Sequence, residues 1–361
     1  MSAELKDNLL TAIMPTYNRS ALVASQVRLF AATNFAYPLL VADSSDPEQA
    51  VGVRSAVEGK GEYEGFAVET PFYDKLAATL TKVKTPFVLL VPDRKITCPH
   101  AVTAALEQLA THDDHVLAMG YVLGFSPYGD KIDINRIVFY TPTVGEDDPI
   151  ERLYHLMRRY QVSLWAVFRR EALETAVAQA RSVKGAMFQE IMFMNALVLQ
   201  GKICRLPLIY GLQGPERSLT PLERTDPLYW FLEDARSFIG HYASYREMLT
   251  AFVCTKTRSS AGLTQILDVI HGLWLSYNFD IGVMNRAVQL RLSASTTPLP
   301  HPRPAIGWLA FSGGDEVWWE RGKRIYVWRN MVLNAEPRDE IRITAEDRQE
   351  VLRELDFYFD E

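Results

Sequence analysis

Leu9-Leu10-Thr11-Ala12-Ile13-Met14-Pro15-Thr16-Tyr17-Asn18-Arg19-Ser20 is the stretch on which the fold turns. The largely apolar run from Leu9 to Met14 is too short and too unbroken for an amphipathic helix, and it reads as a buried parallel strand. Pro15 has no N–H to give a ladder and is expected to stop it. Thr16, Tyr17 and Asn18 then offer hydroxyl and amide groups, and Arg19 a fixed charge, at the strand end where open α/β sheets bind ligands. The same residues also suit an ordinary strand-to-helix turn.

Working outward, Leu22, Val23, Val27, Leu29 and Phe30 fall at helical spacing between Arg19 and Thr33. Tyr37 to Ala42 is a second short apolar strand, closed by Asp43-Ser44-Ser45-Asp46-Pro47. Asp43 and Ser44 are candidate ligand contacts at its end, whereas Asp46-Pro47 reads as a helix cap followed by proline at the first helical position. A helix fragment and an irregular link lead to a short strand at Gly65 to Val68. Asp74 to Val83 has helical spacing, with Lys75 near its start. Thr85 to Val91 is the most hydrophobic strand of this half, expected near the sheet centre, and it ends in Pro92-Asp93-Arg94-Lys95.

Composition narrows the function. The chain of 361 residues is 48% hydrophobic and carries a formal charge of −6, which supports a large core and argues against non-specific nucleic-acid binding. Its three cysteines, Cys98, Cys204 and Cys254, have neither CxxC spacing nor an even count, so neither a disulfide framework nor a zinc knuckle is indicated. With no signal-peptide pattern at Met1 to Asp7 and no run of about 18 apolar residues, a cytoplasmic protein without a membrane span is expected.

Three strands ending in polar clusters resemble the GT-A glycosyltransferases, in particular the family-two-like bacterial enzymes. The matching pieces are Met14-Pro15-Thr16-Tyr17-Asn18-Arg19, Val41-Ala42-Asp43-Ser44-Ser45 and Thr85 to Asp93, and the resemblance spans roughly residues 9–215. It implies an α/β fold, a Rossmann-like mixed sheet flanked by helices. It also implies a nucleoside diphosphate sugar as donor, with the first cluster holding base and ribose and Asp43 the base. The sequence departs from the family where an Asp-x-Asp metal motif is expected, because Pro92-Asp93-Arg94 stands there. Proline has no ligand atom and arginine repels a cation, so a divalent metal site is doubtful and no cofactor is expected. Either Arg94 and Lys95, helped by Lys75, take over the metal's electrostatic task on the leaving diphosphate, or the site has decayed into a binding or scaffold module. A nucleotidyltransferase is disfavoured, since the Arg-containing glycine-rich loop after the first strand is absent.

Gly185 to Leu197 is an apolar helix with one carboxylate, Glu190, closed by Gly201 as a C-terminal cap. Burial among Met and Phe raises a carboxyl pKa, which suits a general base. In the resembling family an acid at the start of such a helix deprotonates the acceptor hydroxyl with inversion. A helix-end carboxylate held by a neighbouring arginine is the structural alternative. His112-Asp113-Asp114-His115 reads as a turn, Asp148-Pro149 as a helix start with a displaced metal site as a minor alternative, and Val162 to Phe168 as a strand with Trp165 in the core. Tyr121 to Tyr140 reads as a hairpin beside the sugar pocket, and Gly211 to Ser218 as a loop closing over the donor, with Arg217 a further diphosphate candidate.

Three regions follow: a GT-A-like domain over residues 1–225, a helical segment over 226–298, and a β-meander with a last helix, Thr344 to Leu355, over 299–361. The linker signal is Leu299 to Pro304. Short strands are expected at Ile306 to Phe311, Glu316 to Trp319 and Arg324 to Trp328, joined by Ser312-Gly313-Gly314-Asp315 and Arg321-Gly322-Lys323. Their tryptophans suggest core or a contact between copies of the chain. The sugar and the acceptor, whether glycan, protein or small molecule, are read by pocket shape and not by these motifs.

Overall fold

The computed structural model describes residues 9–33, 35, 37–93, 95–128, 131–139, 143–158, 160–214, 227–257, 262–279, 281–293, 308–318, 324–334 and 339–342. Strand β1 (Leu10–Thr16) leads through helix α1 (Ser20–Ala32) to β2 (Leu39–Asp43), α2 (Pro47–Val57) and β3 (Glu62–Gly65). Helix α3 (Phe72–Leu80) then precedes β4 (Phe87–Leu90), the short β5 (Lys95–Thr97) and α4 (Pro99–Thr111). A long hairpin, β6 (His115–Tyr128) and β7 (Lys131–Phe139), is followed by α5 (Pro149–Arg158), β8 (Val167–Arg169), α6 (Arg170–Arg181), α7 (Ala186–Gln200) and β9 (Lys202–Gln213). Helices α8 (Pro227–Glu233), α9 (Ala235–Cys254), α10 (Leu263–Asn278) and α11 (Ile281–Leu292) come next, and β10 (Trp308–Trp318), β11 (Arg324–Asn334) and β12 (Asp339–Arg342) last.

The strands form one mixed sheet in the order β10-β11-β7-β6-β8-β4-β1-β2-β3, with β12 on β11, β9 on β6 and β5 on β9. β1 lies between β2 and β4 and is parallel to both. Being covered on both faces, it buries every residue, and Ile13, Met14, Leu89 and Leu90 are wholly excluded from water. Each contributes on the order of 2 kcal/mol of hydrophobic stabilisation.

Pro15 does not stop the strand. The carbonyl of Ile13 accepts from Val91, so the next position of β1 that faces β4 is Pro15, and there the pairing with β4 has already ended at Ile13 and Leu90. Pairing with β2 continues through Thr16 and Asp43. Proline thus closes the ladder on one side only, where its missing donor leaves nothing unpaired.

Several expectations shift. The third parallel strand is Glu62–Gly65, earlier than Gly65 to Val68, because its register with Leu40 to Asp43 selects those residues. Only Val167–Arg169 of the expected Val162 to Phe168 strand pairs, antiparallel to β4 and β6, and Trp165 sits half-buried in the preceding bend. Gly201 caps the C-terminus of α7 as expected, with an extended φ of −177°. A Cβ there would meet the Asp114 carbonyl at 2.6 Å, so close approach is what requires glycine. In the C-terminal part β10 runs unbroken through Ser312 to Asp315, since in-register pairing with β11 overrides a Gly-Gly turn signal, and β11 joins the main sheet through β7. The hairpin tip at 129–130, the linker, the last helix and Arg321 to Lys323 lie outside the described residues.

Gly211 to Gln213 belong to β9, not to a loop, and pair with Lys95 to Thr97. A Cβ at Gly211 would fall 2.4 Å from the Ile96 carbonyl. Gly211→Ala is therefore expected to push β5 off β9 and to destabilise the fold by about 1–3 kcal/mol in urea unfolding, the usual range for overpacking.

Candidate active site

The carboxyl ends of β1, β2 and β4 meet where the strand order reverses, with β2 and β3 on one side of β1 and β4 on the other. That crevice is the position at which open α/β sheets take ligands. Across it, Thr16 Oγ1 donates to Asp93 Oδ2 at 3.0 Å, and Arg19 Nε lies 3.8 Å from the same oxygen.

Lys75 binds the cluster from α3. Its Nζ donates to the Thr16 carbonyl and to Ser44 Oγ, both at 2.9 Å, and the side chain is buried. Burial lowers its pKa to about 8, although the charges of Asp43 and Asp93 act in the opposite direction. Asp43 Oδ1 accepts from Ser45 N at 2.9 Å and Ser45 Oγ at 2.5 Å, and its Oδ2 accepts from the Tyr63 hydroxyl at 3.1 Å.

The loop after β1 is locked to the loop after β2. Asn18 adopts a left-handed φ of 53°, which asparagine tolerates better than most residues. Its backbone N–H donates to Ser45 Oγ at 2.7 Å, its Nδ2 donates to Asp46 Oδ2 at 2.7 Å, and its Oδ1 accepts from Asp46 N at 2.8 Å. Asp46 stands at the cap of α2 but makes no side-chain cap bond, because Asn18 engages its carboxylate. Tyr17 between these anchors is 38% exposed.

A second group forms around Glu190, in the early turns of α7. The Tyr160 hydroxyl donates to Glu190 Oε1 at 3.4 Å. The residue keeps some solvent contact, but protein mass surrounds its carboxyl group and raises its pKa to about 7, against the lowering effects of Tyr160 and the Lys95 charge. Lys95 is buried on β5, not a solvated turn residue, with its ammonium 5.5 Å from the Trp165 ring centroid. Phe72 meets the edge of the same indole. Tyr73, beside Phe193 at 5.7 Å, feels the Glu190 charge. Helix α3 thus carries Lys75 to the strand ends and Tyr73 to the carboxylate, and Lys95, two residues beyond Asp93, acts on the same carboxylate.

The structure therefore brings together Pro15, Thr16, Tyr17, Asn18, Arg19, Asp43, Ser44, Lys75 and Asp93, and places Lys95 beside Glu190. Arg94 and Arg217 lie outside the described residues. Sequence reasoning passed over Tyr63 and Tyr160, whose contacts span 20 and 30 residues and leave no local signal.

Asp93 already receives Thr16 and faces Arg19, and no three carboxylate, histidine or cysteine side chains gather among the described residues. Asp147 is not displaced toward Asp93: it pairs with Lys202 at 2.8 Å, at the opposite end of β9 from Lys95's partner Gln213. Asp148 caps α5 by accepting from Ile150 and Glu151. His115 opens β6, and Asp114 is held by Lys202 at 2.9 Å, so the His112 to His115 cluster is structural.

No family model and no curated protein matches this sequence. Solved structures do match in fold. S. aureus TarS residues 1–349, in complex with UDP-GlcNAc, superposes with a TM-score of 0.52 at 14% identity, covering 78% of this chain and 79% of that one. A longer S. aureus TarS structure gives 0.50 at 15% identity, over 75% of this chain, which spans only 44% of that one. The fold is that of the GT-A glycosyltransferases: a mixed α/β sheet flanked by helices. Among the described residues no helix is long and apolar enough to cross a membrane.

A carboxyl with a folded pKa near 7 and an ordinary unfolded value near 4.5 adds stability below the unfolded value and loses it as pH rises through 7. Glu190→Gln is accordingly expected to raise the melting temperature at pH 8, by the equivalent of roughly 3 kcal/mol. At pH 4 and below, where the carboxyl is largely neutral in both states, the two proteins should melt together. A gap independent of pH would contradict this account of Glu190.

Proposed function

We propose that the chain transfers a sugar from a nucleoside diphosphate sugar to an acceptor hydroxyl, with inversion and without a divalent metal. The observation that carries the proposal is Glu190, a carboxyl raised to about 7 beside a buried lysine that follows directly on the strand-end cluster. A UDP-sugar is the donor class to test first, since the TarS structure of the same fold holds UDP-GlcNAc.

In this proposal Tyr17, Asn18 and Asp43 hold base and ribose, while Thr16, Arg19, Asp93 and Lys75 shape the floor of the crevice. The acceptor oxygen attacks the anomeric carbon as its proton passes to a Glu190 carboxylate oxygen. The bond from that carbon to the diphosphate breaks on the opposite face, and the diphosphate leaves with the electron pair. Arg94, with Lys95 and Arg217, supplies positive charge to it. A guanidinium suits this, being always ionised and able to give two parallel donors to phosphate oxygens.

Calorimetry with UDP and other nucleoside diphosphates, paired with a product assay, tests the proposal. Glu190→Gln should lose roughly 10²–10⁴ in turnover with UDP affinity unchanged, the range usual for a general base. The acid limb of the rate profile should have its midpoint near pH 7, since only the ionised carboxylate takes the proton. Arg94→Ala should lose roughly 10²–10³ in turnover. Excess chelator should leave turnover intact, and loss of activity restored by Mn²⁺ would show that a metal is required. Nucleotide binding with no turnover would leave a GT-A binding module.

A further inference from the structure

Helix α7 has two faces. At about 100° per residue, Gly185, Phe188 and Asn195 fall on one stripe and Glu190 with Phe193 on roughly the opposite one. The first stripe is held by helices α8 to α10. The Phe188 ring lies among Trp230, Phe238, Tyr242 and Tyr245, with centroids 5.5, 5.5, 6.1 and 5.4 Å away. Asn195 Nδ2 donates to the Tyr245 hydroxyl at 2.5 Å, and that oxygen lies 2.7 Å from His271 Nε2.

The tightest contact is at the helix start. Gly185, immediately before α7, has φ of +86°. A Cβ built there would fall 2.8 Å from the Trp230 ring and 3.3 Å from the His241 ring. The indole therefore rests on bare backbone, and its edge fixes where α7 begins, five residues before Glu190.

We infer that Trp230 is a positioning residue for Glu190, acting through Gly185: the helices behind α7 set where the carboxylate meets the acceptor. This rests on the reading of Glu190 as the general base. A displacement of about 1 Å in such a group costs on the order of 10²-fold in rate, so an edge contact five residues away is enough to matter.

Trp230→Leu removes the edge contact and keeps an apolar side chain, and Trp230→Phe keeps an aromatic ring. Three quantities decide the inference: turnover of a UDP-sugar, UDP affinity, and the titration of the Glu190 carboxyl followed by ¹³C NMR, assigned with Glu190→Gln. Among the described residues the titratable groups facing that carboxyl are Tyr160, Tyr73 and Lys95, and all three are retained in these variants. For Trp230→Leu the expected result is a turnover loss of about tenfold or more with UDP affinity within twofold. The Glu190 midpoint should move by about half a pH unit or more, and Trp230→Phe should recover most of both effects. An unmoved midpoint, or UDP affinity lost in step with turnover, would overturn it. Should Trp230→Leu not fold, Gly185→Ala presses on the same contact from the other side and is judged by the same readouts. If the wild type neither binds UDP nor turns over any nucleotide sugar, the proposed function fails, and the Glu190 titration alone decides the positioning role.

Discussion

A buried ammonium holds the candidate site together. Lys75 reaches from α3 to the last carbonyl of β1 and the first hydroxyl beyond β2, with Asp43 and Asp93 near enough to favour its charge. Without it, the Thr16 carbonyl would keep the backbone bond from Ser44 and a long 3.5 Å bond from the Ser44 hydroxyl, and a buried polar group left short of partners costs about 1–3 kcal/mol. The remaining contacts build on this tie. Thr16 can reach Asp93 because its backbone is fixed, and Ser45 can serve both Asn18 and Asp43 because Ser44 is anchored beside it.

The same helix couples this cluster to Glu190. Tyr73 and Lys75, two residues apart, are both buried. On α3 their side chains diverge by about 200°, so one turns toward the carboxylate and the other toward the strand ends. A rigid element that carries one residue of each group holds their separation constant more firmly than two loops would. On the far side of α7, the aromatic ring of helices around Phe188 closes the arrangement with apolar contacts and one polar chain. His271 fits there as a neutral ring, since burial lowers its pKa to about 4, and its Nε2 then accepts from Tyr245.

The strands of this site were legible because their signals are local. Leu9 to Met14, Val41 to Ser45 and Thr85 to Asp93 each combine an apolar run with a polar stop, and all three lie where the sequence places them. What escaped depends on neighbours distant in sequence. Pro15 reads as a terminator until the earlier end of β4 is known, and Asp46 reads as a cap until Asn18 is seen on its carboxylate. Lys95 and Gly211 read as loop residues because three-residue pairing between β5 and β9 has no periodicity to detect. Gly201 and Gly185 show that one residue type answers two constraints: the first is required by a carbonyl at close range, the second by a positive φ beneath an indole.

Opposing terms set the pKa of Glu190, the proposed base. Desolvation alone would drive its pKa well up and keep the carboxyl protonated at neutral pH, and a direct ion pair would drive it down until the carboxylate took protons poorly. Lys95 acts between these limits. Its ammonium lies over the Trp165 face, where the ring quadrupole stabilises a cation without neutralising it. With the Tyr160 hydrogen bond, the larger of the two lowering effects, its charge offsets desolvation only in part, and the balance settles near 7. In the proposed reaction this arrangement has a second consequence. As the acceptor proton neutralises Glu190, the ammonium loses that carboxylate's charge at the moment the diphosphate gains its own, so its attraction moves from base to leaving group without any movement of the chain.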